Sequence, residues 1–113
     1  MKKNIFCALD LDFKSALSLT KQIKDHIYGI KIGSLFNQMG IEGLKEFDQL
    51  NIPIFVDSKF SDIPSTTARN ISNLKELKNI KFVTIHSLSS KEMMKEAVKA
   101  AESISKKIKV LAV

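Results

Sequence analysis

Asp57-Ser58-Lys59-Phe60-Ser61-Asp62-Ile63-Pro64 sets two carboxylates and an ammonium in one short stretch, directly after the apolar run Ile52 to Val56. Side chains two apart on an extended chain share a face, so Asp57 and Lys59 should stand side by side where that run ends. Opposite charges held together at a strand end make a candidate site for stabilising charge. The same spacing also describes an ordinary ion pair where strand gives way to loop, and such exposed pairs contribute little.

The elements that must position these groups alternate regularly. The first strand runs from Ile5 to Leu9 and ends at Asp10, and Lys14 to Ile27 then places Ala16, Leu17, Leu19, Ile23 and Ile27 near helical intervals. A second strand covers Tyr28 to Ile32. Leu35, Phe36, Met39, Leu44 and Phe47 predict a helix interrupted near Gly40 and Gly43, and Pro53 leads into a third strand, Ile54 to Val56. A third helix is expected over Ile63 to Leu77, a fourth strand over Phe82 to Ile85, a fourth helix over Met93 to Ile104 and a fifth strand over Val110 to Val113. Strands alternating with helices imply right-handed parallel units, an α/β fold. In a closed (β/α)8 TIM barrel, chemistry collects at the C-terminal ends of the strands, where Asp10, Lys31, Asp57, Lys59 and His86 all fall. An open doubly wound sheet fits the same alternation, but no Gly-rich phosphate loop follows the first strand. With no linker or low-complexity tract, residues 1–113 read as a single domain.

Composition is that of an ordinary globular chain, 44% hydrophobic and 27% charged. Cys7, the single cysteine, allows no intrachain disulfide and fits a small apolar position in the first strand. Met1-Lys2-Lys3 ahead of an apolar run has the look of a secretion signal, but Asp10 and Asp12 interrupt the run and no cleavage pattern follows, so a cytoplasmic location is expected. No stretch is long enough to span a membrane. The net charge of +6 comes from 18 Lys+Arg against 12 Asp+Glu. Arg69 is the lone arginine, and the lysines are dispersed over polar helix faces without interleaved aromatics, which argues against nucleic acid and leaves an anionic small substrate compatible.

The blocks Ala8-Leu9-Asp10, Lys31-Ile32-Gly33 and Asp57-x-Lys59-x-x-Asp62-Ile63-Pro64-x-Thr66, in that order, resemble orotidine 5'-phosphate decarboxylases. The Asp-x-Lys-x-x-Asp core is shared with the related 3-keto-L-gulonate 6-phosphate decarboxylases and hexulose-phosphate synthases, and the Ile63-Pro64-x-Thr66 continuation favours the orotidine branch. His86 and Met93-Met94 match more weakly, and Ser61 and Ser89-Ser90 depart from the His and the Gly pair that many members carry. The resemblance runs over essentially the whole chain but covers only the first half of the family's usual length.

The resemblance implies decarboxylation of orotidine 5'-monophosphate to uridine 5'-monophosphate in pyrimidine biosynthesis, with no metal and no organic cofactor. It makes Lys59 the group that stabilises a carbanion and delivers a proton, Asp57 the group that crowds the departing carboxylate, and Lys31 and Asp62 the completion of an alternating charge array. Asp10 and Thr66 match positions that hold the ribose hydroxyls, and Ile63 one that packs beside the base. It further implies a homodimer with Asp62 acting across the interface.

Val110 to Val113 is an apolar strand with no helix after it, so the expected barrel stops partway round with open parallel edges, and a fragment of a longer chain is expected. Such a half barrel should be catalytically incomplete, lacking the phosphate-gripping loops. Three classes stay open on the residues: the orotidine decarboxylase, a related sugar-phosphate decarboxylase or aldolase that would usually need Mg²⁺, and a non-catalytic half barrel that only associates with a partner. His86 reads either as a catalytic group or as a strand-end histidine packed in the barrel.

Overall fold

A computed structural model describes residues 4–113; Met1-Lys2-Lys3, weighed above as a signal-like start, lie outside the described residues. Among the described residues, five parallel strands pair in chain order. They are β1 (Phe6–Ala8), β2 (Gly29–Ile32), β3 (Ile54–Phe60), β4 (Ile80–Ile85) and β5 (Lys109–Ala112). Between them run α1 (Phe13–Ile23), α2 (Ser34–Asp48), α3 (Pro64–Ser72) with a following 3-10 turn (Asn73–Glu76), and α4 (Lys91–Ile104). Right-handed crossovers joining strands in unbroken spatial order put every helix on the same side of the sheet. A doubly wound sheet reverses its strand order to cover both faces, and no reversal occurs among the described residues. The architecture is an arc of a (β/α) barrel.

Local chemistry explains where the helices start. The Asp12 carboxylate accepts the Ser15 N–H at 3.0 Å ahead of α1, and the Ser90 hydroxyl accepts the Met93 N–H at 3.1 Å ahead of α4. Pro64 occupies the first turn of α3, where its missing N–H is no loss, and it keeps Ile63 extended at φ −60°, ψ 152°. At the far end of the barrel, the Asp48 carboxylate accepts the N–H groups of Lys78 and Asn79, both at 2.9 Å, tying the end of α2 to the entry of β4.

Alternation along the strands separates two environments. Ile30, Ile32, Ile54, Val56, Val83 and Ile85 are buried with Leu35, Leu44, Phe47, Ile71, Met93 and Ala97 of the helices and form the core. The opposite, concave face carries Phe6, Phe55 and Phe82, whose rings meet edge to face or tilted at centroid separations of 5.4–5.8 Å. Lys31, Asp57 and Thr84 share that face nearer the C-terminal ends of the strands.

Several expected boundaries move: the first helix ends at Ile23 rather than Ile27, where the chain turns toward β2, and the fourth strand starts at Ile80 rather than Phe82. The third strand does not stop at Val56 but runs to Phe60, with its register against β4 shifting between Val56 and Phe60, so Asp57 and Lys59 belong to the strand itself. The second helix kinks at Gly40, which takes φ 62°, ψ −161°, whereas Gly43 is helical and buried against Met39. The third helix ends at Ser72 and tightens into the 3-10 turn, after which Leu77 is already extended. Among the described residues no helix is long and apolar enough to cross a membrane.

Candidate active site

Lys31, Asp57 and Lys59 come together at the C-terminal ends of β2 and β3. The Lys59 ammonium lies 3.0 Å from both carboxylate oxygens of Asp57, and the Lys31 ammonium lies 3.5 Å from Oδ2. Asp57 is the inner member, with its side chain 15% exposed, while Lys31 and Lys59 keep 37% and 52% of theirs open to the concave face. Burial pushes the Asp57 carboxyl up, but hydrogen bonds from Lys59 and Thr84 and the charges of Lys59 and Lys31 outweigh it and hold the group below its ordinary value. The result is a carboxylate fixed between two cations, each of which still presents donor hydrogens outward.

The backbone contributes to this arrangement. Lys59 adopts φ 47°, in the left-handed region that non-glycine residues seldom occupy. There the strand slips against β4, and the Lys59 N–H bonds the Thr84 hydroxyl at 2.9 Å. The same hydroxyl donates to Asp57 Oδ1 at 2.9 Å. Nothing in the sequence around Thr84 singles it out. The signal available was a threonine in an otherwise apolar strand, Phe82-Val83-Thr84-Ile85, which ranks equally well as a β-former.

The remaining expected residues lie around this centre without joining it. Asp62 is exposed in the β3–α3 loop; its carboxylate accepts the N–H of Ile63 at 2.7 Å, and among the described residues it forms no ion pair. Ile63 beside it is 63% exposed. Asp10 is exposed just past β1, and Thr66 lies half-buried in the first turn of α3, its N–H bonded to the Ile63 carbonyl at 3.1 Å. His86 follows β4 directly, half-buried, and its Nδ1 accepts the Leu88 N–H at 3.2 Å, which makes it a turn-forming residue in this arrangement. Among the described residues no three His, Cys, Asp or Glu side chains gather as a metal site. A cavity of about 490 Å³ lined by Tyr28, Pro53, Lys78, Lys81 and Lys107 lies at the opposite ends of the strands and contains none of these groups.

Comparison with known proteins gives this geometry its context. Residues 3–113 match the sequence model of the Orotidine 5'-phosphate decarboxylase / HUMPS family. The chain is 36% identical over 111 residues to the orotidine 5'-phosphate decarboxylase of Wolbachia pipientis subsp. Culex pipiens (strain wPip), covering 96% of this chain and 48% of that protein. It is 41% identical over 96 residues to the one from Ehrlichia canis (strain Jake), covering 83% and 42%. The chain thus spans about half the length of the curated relatives it matches. Among solved structures, orotidine 5'-phosphate decarboxylase from Lactobacillus acidophilus superposes with TM-score 0.78 at 30% identity over 98% of this chain and 52% of that one. An uncharacterized conserved protein from Geobacillus kaustophilus superposes with TM-score 0.82 at 20% identity, a likeness of fold. The fold is therefore that of about half of a TIM barrel, and with its profile matched from residue 3 to residue 113 the chain belongs to the orotidine 5'-phosphate decarboxylase / HUMPS family.

Proposed function

We propose that the protein carrying this chain decarboxylates orotidine 5'-monophosphate to uridine 5'-monophosphate in pyrimidine biosynthesis, without metal or organic cofactor, as a cytoplasmic homodimer. Residues 1–113 form one domain in this reading, the first part of the barrel. The observation that carries it is the array of Lys31, Asp57 and Lys59, a shielded carboxylate between two partly open ammonium groups at the C-terminal ends of parallel strands.

The array suits a reaction in which negative charge moves from a carboxylate onto a ring carbon. With the substrate's carboxylate set against Asp57, like charges oppose each other in the ground state, and that repulsion is relieved as carbon dioxide leaves. The bond to the carboxylate breaks with its electron pair left on the ring carbon, where the Lys59 ammonium stabilises it and then transfers a proton to it. The neutral amine regains its proton from solvent. Two unit charges about 4 Å apart interact by about 4 kcal/mol at an effective dielectric of about 20, equivalent to roughly a thousandfold in rate. One contact of this size falls short of a full enzymatic acceleration, so binding energy from the phosphate end of the nucleotide has to contribute.

The outlying residues take supporting parts. Asp10 and Thr66 hold the ribose hydroxyls and Ile63 packs beside the base. The exposed position of Asp62, without an ion pair among the described residues, supports a role for it in the site of a second subunit. The test is conversion of orotidine 5'-monophosphate by the protein as encoded, with and without a chelator. Turnover that survives chelation supports the proposal. Turnover of a sugar phosphate instead, abolished by the chelator, overturns it.

A further inference from the structure

We propose that Thr84 is a positioning residue of the charged centre, whose single hydroxyl fixes both the Asp57 carboxylate and the left-handed turn of the chain that carries Lys59. The inference rests on the reading of Asp57 and Lys59 as the decarboxylation centre, and it assigns to β4 a part in a site otherwise built from β2 and β3.

A hydroxyl has one hydrogen to donate and lone pairs to accept with, and here the surroundings leave no choice about their use. Asp57 Oδ1, 2.9 Å away, is acceptor-only as a carboxylate, and the Lys59 N–H, also 2.9 Å away, is donor-only. The Thr84 hydrogen therefore points at Asp57 and a lone pair at Lys59. The side chain is 1% exposed, and β-branching leaves it few rotamers, so the hydroxyl is a fixed point. Two departures from regular geometry converge on it. Lys59 holds φ 47°, which a lysine does not adopt without support, and the β3–β4 register slips between Val56 and Phe60, around Lys59. Thr84 supplies the acceptor for the Lys59 N–H at this irregular point.

The consequence for chemistry is positional. The Lys59 ammonium is aimed by its contact with Asp57 and by the backbone turn beneath it, and Thr84 holds both. Valine has the shape of threonine without the hydroxyl, whereas serine keeps the hydroxyl and loses only a methyl. In the protein as encoded, Thr84→Val should lower kcat by roughly 10- to 100-fold, the range for misplacing a catalytic group by about an ångström, and change KM less than about threefold. Thr84→Ser should restore most of kcat. Hydrogen exchange at the Lys59 amide gives a readout independent of turnover, and protection there should be lost in Thr84→Val and kept in Thr84→Ser. Should Thr84→Val fail to fold, Thr84→Ala read below its melting temperature replaces it. A kcat within twofold of wild type in the hydroxyl-deleted variant, an equal loss in Thr84→Ser, or unchanged protection at Lys59 would overturn the proposal. A wild-type protein inactive on the nucleotide defeats the decarboxylase reading, and the exchange experiment still decides whether Thr84 holds the Lys59 turn.

Discussion

Phe6 lies across Gly29 on the neighbouring strand: a Cβ on Gly29 would come within 2.5 Å of the Phe6 ring and of the Pro53 carbonyl oxygen. The missing side chain lets the Phe6 ring reach over β2 and meet Phe55 of β3 and Phe82 of β4, with the Tyr28 ring edge to face at a centroid separation of 5.2 Å. These rings form an aromatic floor in the concave face, nearer the N-terminal ends of the strands than the charged centre.

Gly29→Ala should therefore destabilise the protein. The Pro53 carbonyl already accepts the Ile30 N–H at 3.0 Å, so relieving the backbone clash strains the β2–β3 pairing, while relieving the other moves Phe6 off its neighbours. Overpacking of this kind costs about 1–3 kcal/mol. Urea unfolding of the variant should show a lower midpoint with the same slope. An unchanged midpoint would show that the ring does not depend on this gap.

The depressed carboxyl of Asp57 makes a prediction about pH. A group whose pKa is lower folded than unfolded binds fewer protons in the native state, so its contribution is present above the unfolded value, about 3.9 for aspartate, and is lost as pH falls through the folded value. The groups responsible are Lys59, Thr84 and Lys31. The stability difference between wild type and Asp57→Asn should be full at neutral pH and shrink on acidification below about pH 3.9. Denaturant midpoints across that range check it, and a pH-independent difference would contradict it.

Much of this organisation was legible in the residues and some was not. Lys31, Asp57 and Lys59 stood out because their charges punctuate apolar runs, and the strand-helix alternation placed them at one end of a parallel sheet, where they are found. The extension of β3 through Phe60 was hidden because Asp57-Ser58-Lys59 has the composition of a loop, and the pairing that keeps it in the sheet comes from Ile85 on another strand. Thr84 was hidden for a related reason. Its two partners lie 27 and 25 positions away, and a hydroxyl in a β-rich segment carries no local sign of what it will face. The gap at Gly29 likewise acquires meaning only once Phe6 is beside it.

Asp62 is expected to act in the partner's site, and subunit mixing tests this. Homodimers of Lys59→Ala and of Asp62→Ala should each be nearly inactive, but a mixed dimer contains one site with Lys59 from one chain and Asp62 from the other. Random pairing makes about half of the dimers mixed, so recovery should approach roughly a quarter of wild-type activity if the sites act independently. No recovery after demonstrated subunit exchange would place Asp62 in its own chain's site or outside the chemistry.

In the proposed mechanism Lys59, held against Asp57 at 3.0 Å, stabilises the carbanion and delivers the proton. Its most direct test is Lys59→Ala in the protein as encoded, with turnover of orotidine 5'-monophosphate and affinity for uridine 5'-monophosphate measured side by side. Turnover should fall by roughly a thousandfold or more, the worth of a charge contact of about 4 kcal/mol, while the product nucleotide still binds measurably. Near-wild-type turnover would contradict the assignment of Lys59 to the chemistry.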